Sequence, residues 1–221
     1  MTDFAIYDMD RTVTRHATYT PFLLHCAVRR APWRLLLLPL VVASIIAYAL
    51  KLIDRGRLKE INHRLLLGHK RHPRELKPLV ESFADRTVAS NIRPGARAAI
   101  SRDKAQGRRV VLATASYRLY ADAIADRLGF DDVIGTGSII GLDKRVHAKI
   151  DGENCYGPAK LRMVSDWLGK SGLERGHVRF YSDHASDAPV FEWADEAVAV
   201  NPHAKLARLA ATRGWAVEDW S

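Results

Sequence analysis

The apolar positions of this chain fall into three textures. A short continuous run, Phe4 to Tyr7, predicts a buried strand that ends at Asp8. From Thr18 to about Val88 the apolar runs lengthen to helical size and lose any alternation, broken by Pro21, Pro32, Gly56, Gly68 and Pro73. That stretch predicts helices over about 18–30, 33–54, 57–67 and 73–88, with Pro39 placed to kink the second. From Arg108 onward short β-rich runs return. RRVVLATAS predicts a strand, YRLYADAIADRLG a helix stopped at Gly129, and DDVIGT a further strand. SIIGLDKRVHAKIDGENCYG predicts a hairpin with turns at Gly141 to Lys144 and Asp151 to Asn154. Residues 157–168 predict a helix, and HVRFYSD and EAVAV two more strands.

Strands alternating with helices of this length predict an α/β fold, a Rossmann-like parallel-sheet core covered on both faces. The helical block then becomes a cap inserted after the first strand: core residues 1–15 and 89–221, cap residues 16–88. With 221 residues and 48% hydrophobic composition the chain can bury a sizeable core. Cys26 and Cys155 are the only cysteines and have no metal-like spacing, which predicts a reduced, cytoplasmic setting. Asp3, Asp8 and Asp10 interrupt any leader-type apolar stretch, so no cleavable signal peptide is expected.

Charge sharpens the division. Of the net +9, residues 13–90 hold fourteen Lys/Arg against five Asp/Glu, whereas residues 91–221 come only to +2. A basic insert draws an anionic partner, and composition by itself leaves nucleic acid, membrane and phosphorylated substrate open. The basic residues flank an apolar run instead of interleaving with aromatics on a reading element, which argues against nucleic acid. That run, Leu35 to Leu50, is sixteen residues without a charge, short of the roughly 20 that span a bilayer. It predicts a buried or membrane-embedded, non-spanning helix. Arg29, Arg30 and Arg34 precede it, Lys51, Arg55, Arg57 and Lys59 follow, and Trp33 stands where an interfacial aromatic anchor would. This is the pattern of a helix lying against anionic lipid at the inner face of the cytoplasmic membrane. The alternative is an ordinary cap core with a solvated basic face. His63, His69 and His72 lie among Lys70 and Arg71, which predicts surface or phosphate-attracting histidines and no metal site.

Candidate chemistry gathers at the predicted strand ends, where open α/β sheets bind ligands. Asp8 and Asp10 end the first strand, Thr114 and Ser116 another, Asp183 and Asp187 a third, and Lys160 stands near a helix start. Any one aspartate there could simply cap a helix. Four carboxylates in one crevice repel each other, and a hard divalent cation such as Mg²⁺ relieves that. With Lys160 as a fixed positive charge, the set suits a phosphoryl group.

The motifs together resemble the haloacid dehalogenase-like phosphohydrolases, in the branch that includes phosphoserine phosphatases. YDMDRTVT resembles the first motif, VVLATAS the second, Lys160 the third, and YSDHASDAPVFEWADEAVAVNP the fourth. The family's usual glycine after the second aspartate is replaced here by Arg11. The resemblance implies that Asp8 is a nucleophile giving an aspartyl-phosphate and that Asp10 is the proton donor and acceptor. It implies that Asp8, Asp183 and the Asp10 backbone carbonyl hold Mg²⁺, with Asp187 orienting metal-bound waters. Thr114 would bind a phosphate oxygen, and Lys160 would neutralise nucleophile and phosphate together. Thr12, Ser116, Ser182 and Asn201 would play supporting parts. The basic stretch before LLLLPL also resembles the phosphatidylglycerophosphatase C group of the superfamily, which implies a lipid head-group phosphate as substrate. A small phosphomonoester such as phosphoserine is one alternative, and a non-catalytic basic membrane- or nucleic-acid-binding protein is the other.

Overall fold

The computed structural model describes residues 1–221. The chain opens with β1 (Thr2–Tyr7), then the helical insert: α1 (Tyr19–Arg30), α2 (Leu38–Ala49), α3 (Arg55–Leu66), a two-residue β2 (Lys70–Arg71) and α4 (Pro73–Ser90). The path continues through α5 (Pro94–Ala105), β3 (Arg109–Tyr117), α6 (Arg118–Leu128), β4 (Asp132–Ile140) and β5 (Val146–Asp151). It finishes with α7 (Pro158–Ser171), β6 (Arg175–Ser182), α8 (Ala188–Trp193), β7 (Glu196–Val200), α9 (Ala204–Arg213) and β8 (Ala216–Glu218).

These strands form one sheet in the order β2-β5-β4-β3-β1-β6-β7-β8. The six from β4 to β8 run parallel, and β5 with β2 extends the sheet as an antiparallel flap. From β1 the chain winds outward to β3 and β4, then returns across β1 to β6, β7 and β8. That reversal opens a crevice at the carboxyl ends of β1, β3 and β6. The expected α/β, Rossmann-like class is therefore observed.

Alternation along the strands sets the two layers, because successive side chains point to opposite faces. Phe4 and Ile6 pack with Val111, Val178 and Phe180 against α7, α8 and α9. Ala5 and Tyr7 face the other way, with Val110 and Leu112, against α5 and α6. The second layer does not stop at the sheet. Phe22 of α1 stacks on Tyr120 of α6 at 4.4 Å and meets Phe83 of α4 edge-on at 5.2 Å, within one continuous apolar cluster.

Three expectations need correction. The helix predicted over 33–54 is shorter: Pro32–Leu37 forms a tight 3₁₀ segment, and α2 begins at Leu38. Pro39 starts that helix instead of kinking it, because a first-turn residue has no intrahelical N–H bond to lose. The apolar run also does not become cap core. Only Val41 and Ser44 of α2 are buried, against α3, where Ser44 Oγ donates to Asn62 Oδ1 at 2.8 Å. Finally, His63 is not a surface histidine. It is buried edge-on to Tyr117 at 5.4 Å, and burial pushes its imidazole down to about 4.

Because α1 and α4 share one cluster with the core, insert and sheet should unfold as a unit. Phe22→Ala should remove about 3–5 kcal/mol of stability. In denaturant titrations, far-ultraviolet dichroism and tryptophan fluorescence should still coincide; a separate early transition in one signal would contradict the shared cluster.

Candidate active site

The site begins with the turn after β1. Met9–Val13 make one wide π-type turn, closed by Thr14 N–H donating to the Met9 carbonyl at 2.9 Å. Arg11 sits in the left-handed region at φ 68°, a conformation that is strained by roughly 1–2 kcal/mol for a residue with a Cβ. Two bonds hold it there: Arg11 N–H to Thr14 Oγ1 at 3.2 Å, and Arg93 Nε to the Arg11 carbonyl at 3.2 Å. The strained turn brings Thr12 back under the strand ends. Its hydroxyl lies 3.1 Å from Asp8 Oδ2 and 3.3 Å from Asp183 Oδ1, and accepts from the Asp183 N–H at 2.9 Å.

Lys160 enters from the first turn of α7 and is almost fully buried. Its Nζ donates to Asp8 Oδ1 and to Asp187 Oδ2, both at 2.7 Å, and Ser182 Oγ donates to the same Asp187 oxygen at 2.7 Å. Asp8, Asp183 and Asp187 are all buried; the first and last share the Lys160 ammonium, and Asp183 lies beside them without touching it. Burial disfavours the Lys160 charge, but Asp187 and Asp8 outweigh it and hold the ammonium well above the usual lysine range. Burial raises the Asp8 carboxyl, Lys160 opposes, and Asp187 and Asp183 add to the rise, leaving it at about 7. Asp183 is also raised, first by burial, against His203, whose Nε2 lies 3.3 Å from its Oδ2.

Asp10 faces the insert. Its Oδ1 accepts from both the N–H and Oγ1 of Thr18 at 2.7 Å, and its Oδ2 accepts from Ser116 Oγ at 2.6 Å. Tyr120 in turn donates to Ser116 Oγ at 2.7 Å. Two hydroxyls and a backbone N–H thus fix the Asp10 carboxyl in place. Thr114 is fully buried one strand over, its Oγ1 accepting from the Ser116 N–H at 3.0 Å. Asn201 is not brought in. Its side chain binds the C-terminal tail, donating to Asp219 and accepting from the Trp220 N–H at 3.0 Å.

Several site neighbours escaped sequence reasoning. Thr18 and Tyr120 read there as helix residues. Lys59, counted as one more basic cap residue, is buried instead. Its Nζ donates to the Ala115 carbonyl and to Asn154 Oδ1, the latter at 2.7 Å, between the rings of Tyr19 and Tyr117. Burial pushes this ammonium down to about 7. Of the residues expected to touch lipid, Arg29, Arg30, Trp33 and Lys51 are exposed. Arg34 donates to the Arg64 and Leu65 carbonyls at 3.1 and 2.7 Å, and Arg55 stacks on Tyr156 at 4.1 Å. Arg34 is half-buried by those bonds, whereas Arg55 remains exposed beside the Tyr156 ring.

The donor set fits a hard divalent cation. Three buried carboxylates face one buried ammonium, and Asp187 Oδ1 is buried with no hydrogen-bond partner. No three acid, imidazole or thiolate side chains converge to enclose an ion. Asp8 and Asp183 could therefore hold Mg²⁺ only together with the Asp10 carbonyl and waters, a sparse protein ligand set of the kind Mg²⁺ takes.

Acids and a buried lysine thus gather at the carboxyl edge of a mostly parallel α/β sheet. The chain belongs to the haloacid dehalogenase-like hydrolases, whose family model matches residues 5–192. It is 33% identical over 146 residues to the phosphoserine phosphatase SerB1 of Mycobacterium tuberculosis, covering 66% of this chain and 47% of that protein. It is 26% identical over 146 residues to a histidinol-phosphatase of Neisseria meningitidis, 65% and 66% of the two chains. It is also 30% identical over 193 residues to protein CicA of Caulobacter vibrioides, 86% and 82% of the two chains. The chain spans about half the length of the first curated relatives it matches. In fold it is similar to a protein of unknown function from Bordetella pertussis Tohama I, with TM-score 0.89, 24% identity and full coverage of both chains. A phospho-aspartyl intermediate analogue of phosphoserine phosphatase gives TM-score 0.63 at 15% identity, over 94% and 90% of the chains.

Removing the shared ammonium should expose the charge imbalance. Lys160→Met should cost about 3–5 kcal/mol at neutral pH, because Asp8 and Asp187 lose their buried partner. Lys160 lowers the Asp8 carboxyl, so without it the carboxyls rise further and take up protons at higher pH. The penalty should therefore shrink steadily as pH falls from about 8 to 5. Denaturation of both proteins from pH 5 to 8 checks it; a pH-independent difference would contradict the pairing.

Proposed function

We propose that this chain hydrolyses phosphomonoesters with Mg²⁺, through an aspartyl-phosphate, an acyl phosphate, formed on Asp8. The observation that carries the reading is Asp8 itself, a buried carboxylate at the end of the central strand, held between Lys160 and Thr12. The Asp8 carboxylate attacks phosphorus as the bond to the leaving oxygen breaks, and Asp10 gives that oxygen its proton. Water then attacks the same phosphorus, its proton passes to Asp10, and the Asp8–phosphate bond breaks. In this reading Lys160 and the Thr114 hydroxyl would bind the phosphoryl oxygens. Bound Mg²⁺ would supply further positive charge against the phosphoryl oxygens and Asp8.

The substrate we favour is a small phosphomonoester such as phosphoserine, selected under a cap formed by residues 16–88 over a core of residues 1–15 and 89–221. Support comes from relatives named phosphoserine phosphatase and histidinol-phosphatase. It comes also from the way Asp10 is tied to Thr18 at the foot of the insert. A second reading is a lipid head-group phosphate such as phosphatidylglycerophosphate, taken at the inner face of the cytoplasmic membrane. The apolar face that α2 leaves exposed between basic residues favours it.

Asp8→Asn should lower Mg²⁺-dependent phosphate release by at least about a thousandfold while the protein stays folded. Phosphate release from phosphoserine and from phosphatidylglycerophosphate in mixed micelles, at equal concentration, should favour phosphoserine. Preference for the lipid would replace the first reading with the second, and wild-type turnover by Asp8→Asn would remove Asp8 from the chemistry.

A further inference from the structure

The segment Pro32–Ala49 is eighteen residues long and apolar, and only 11% of it is buried. Its buried positions, Val41 and Ser44, form a narrow stripe against α3. Around that stripe Leu36, Leu40, Ile45, Ile46 and Leu50 are each about half exposed or more, and Trp33 is 58% exposed at the leading end. A surface patch of this kind on a folded chain marks an interaction site, since scattered single apolar residues are the ordinary case.

We propose that this face docks on an anionic lipid membrane, with α2 lying in the plane of the interface. The geometry sets the in-plane orientation. Ser44 is hydrogen-bonded to Asn62 of α3, and both ends of the segment run straight back into α1 and α3. Crossing a bilayer would strip α2 off α3 and strand that polar pair in hydrocarbon, whereas shallow insertion keeps it intact. Trp33 lies where an aromatic belongs at the depth of the head groups.

Charge decides the occupant. Arg29 and Arg30 stand exposed before the apolar face, and Lys51 stands exposed after it, between the exposed Leu50 and Leu52. Across residues 29–57 the single acid is Asp54, and its Oδ1 is already engaged, accepting from the Arg57 N–H at 2.7 Å. A second copy docking through the same face would bring two basic rims together with only one acid, Asp54, from each. Anionic head groups complement that rim at both ends. The docking face also ends at the cleft: Arg55, just past Lys51, stacks on Tyr156, whose ring lies 6.4 Å from that of His184 beside Asp183.

The inference does not rest on the substrate. Flotation of the full chain with vesicles of phosphatidylethanolamine and phosphatidylglycerol, beside vesicles of phosphatidylcholine alone, tests it directly. Binding should favour the anionic vesicles by roughly tenfold or more and weaken steeply as salt is raised. The double substitution Ile45→Asp with Ile46→Asp should abolish binding while leaving the thermal midpoint and phosphate release from a soluble phosphomonoester unchanged. Lys51→Glu should weaken binding to anionic vesicles only. Absence of binding, or binding unaffected by the aspartates, would overturn the proposal. So would a dimer in light scattering that the aspartates dissociate, which would assign the face to a second copy.

Discussion

One buried ammonium organises this molecule's functional end. Lys160 touches Asp8 and Asp187 at the same distance, and Asp183 lies within the same buried group. Three carboxylates brought this close to each other out of water would be untenable without it. With it they remain short of positive charge, and a site short of positive charge is one that can hold a cation. The elements serve this arrangement. The central strand carries Asp8, the neighbouring strand β6 leads into Asp183 and Asp187, and α7 delivers the lysine from the opposite layer.

The first-strand turn shows how local strain is used. Arg11 occupies a left-handed position that glycine would take without strain, and bonds from Arg93 and to Thr14 hold it. The return it makes places Thr12 between two of the acids. Asp10, two residues from Asp8, is bonded to Thr18 and Ser116 and not to Lys160. The two acids of the first motif therefore sit in different surroundings. One is buried beside a cation and other carboxylates; the other is fixed by two hydroxyls and a backbone N–H.

Much of this was legible in the chain. The strand of Phe4 to Tyr7, the helix stop at Gly129 and the hairpin around Gly141 follow from local patterning, and the structure brings Asp8, Lys160, Asp183 and Asp187 together as their order along the chain predicts. What escaped was set by tertiary contacts. Strands β2 and β8 are too short to show a period, and α5 opens with Pro94-Gly95, which reads locally as a turn. Lys59 looked like one more surface charge because nothing in its neighbours shows that α3 folds it onto Ala115. Asn201 looked like a site residue because its motif ends at the site, yet its side chain serves the C-terminal tail. The apolar run of α2 allowed either burial or contact with lipid, and the structure leaves most of that face uncovered.

The central claim is that the phosphoryl group passes through the side chain of Asp8. Quenching turnover with borohydride reduces an acyl phosphate to the alcohol, so an aspartyl-phosphate at this position would be converted to homoserine. Peptide mapping of protein quenched during turnover of a phosphomonoester with Mg²⁺ should place homoserine at position 8 and nowhere else. Steady turnover with no homoserine at that position, or with phosphate recovered on another side chain, would contradict the account.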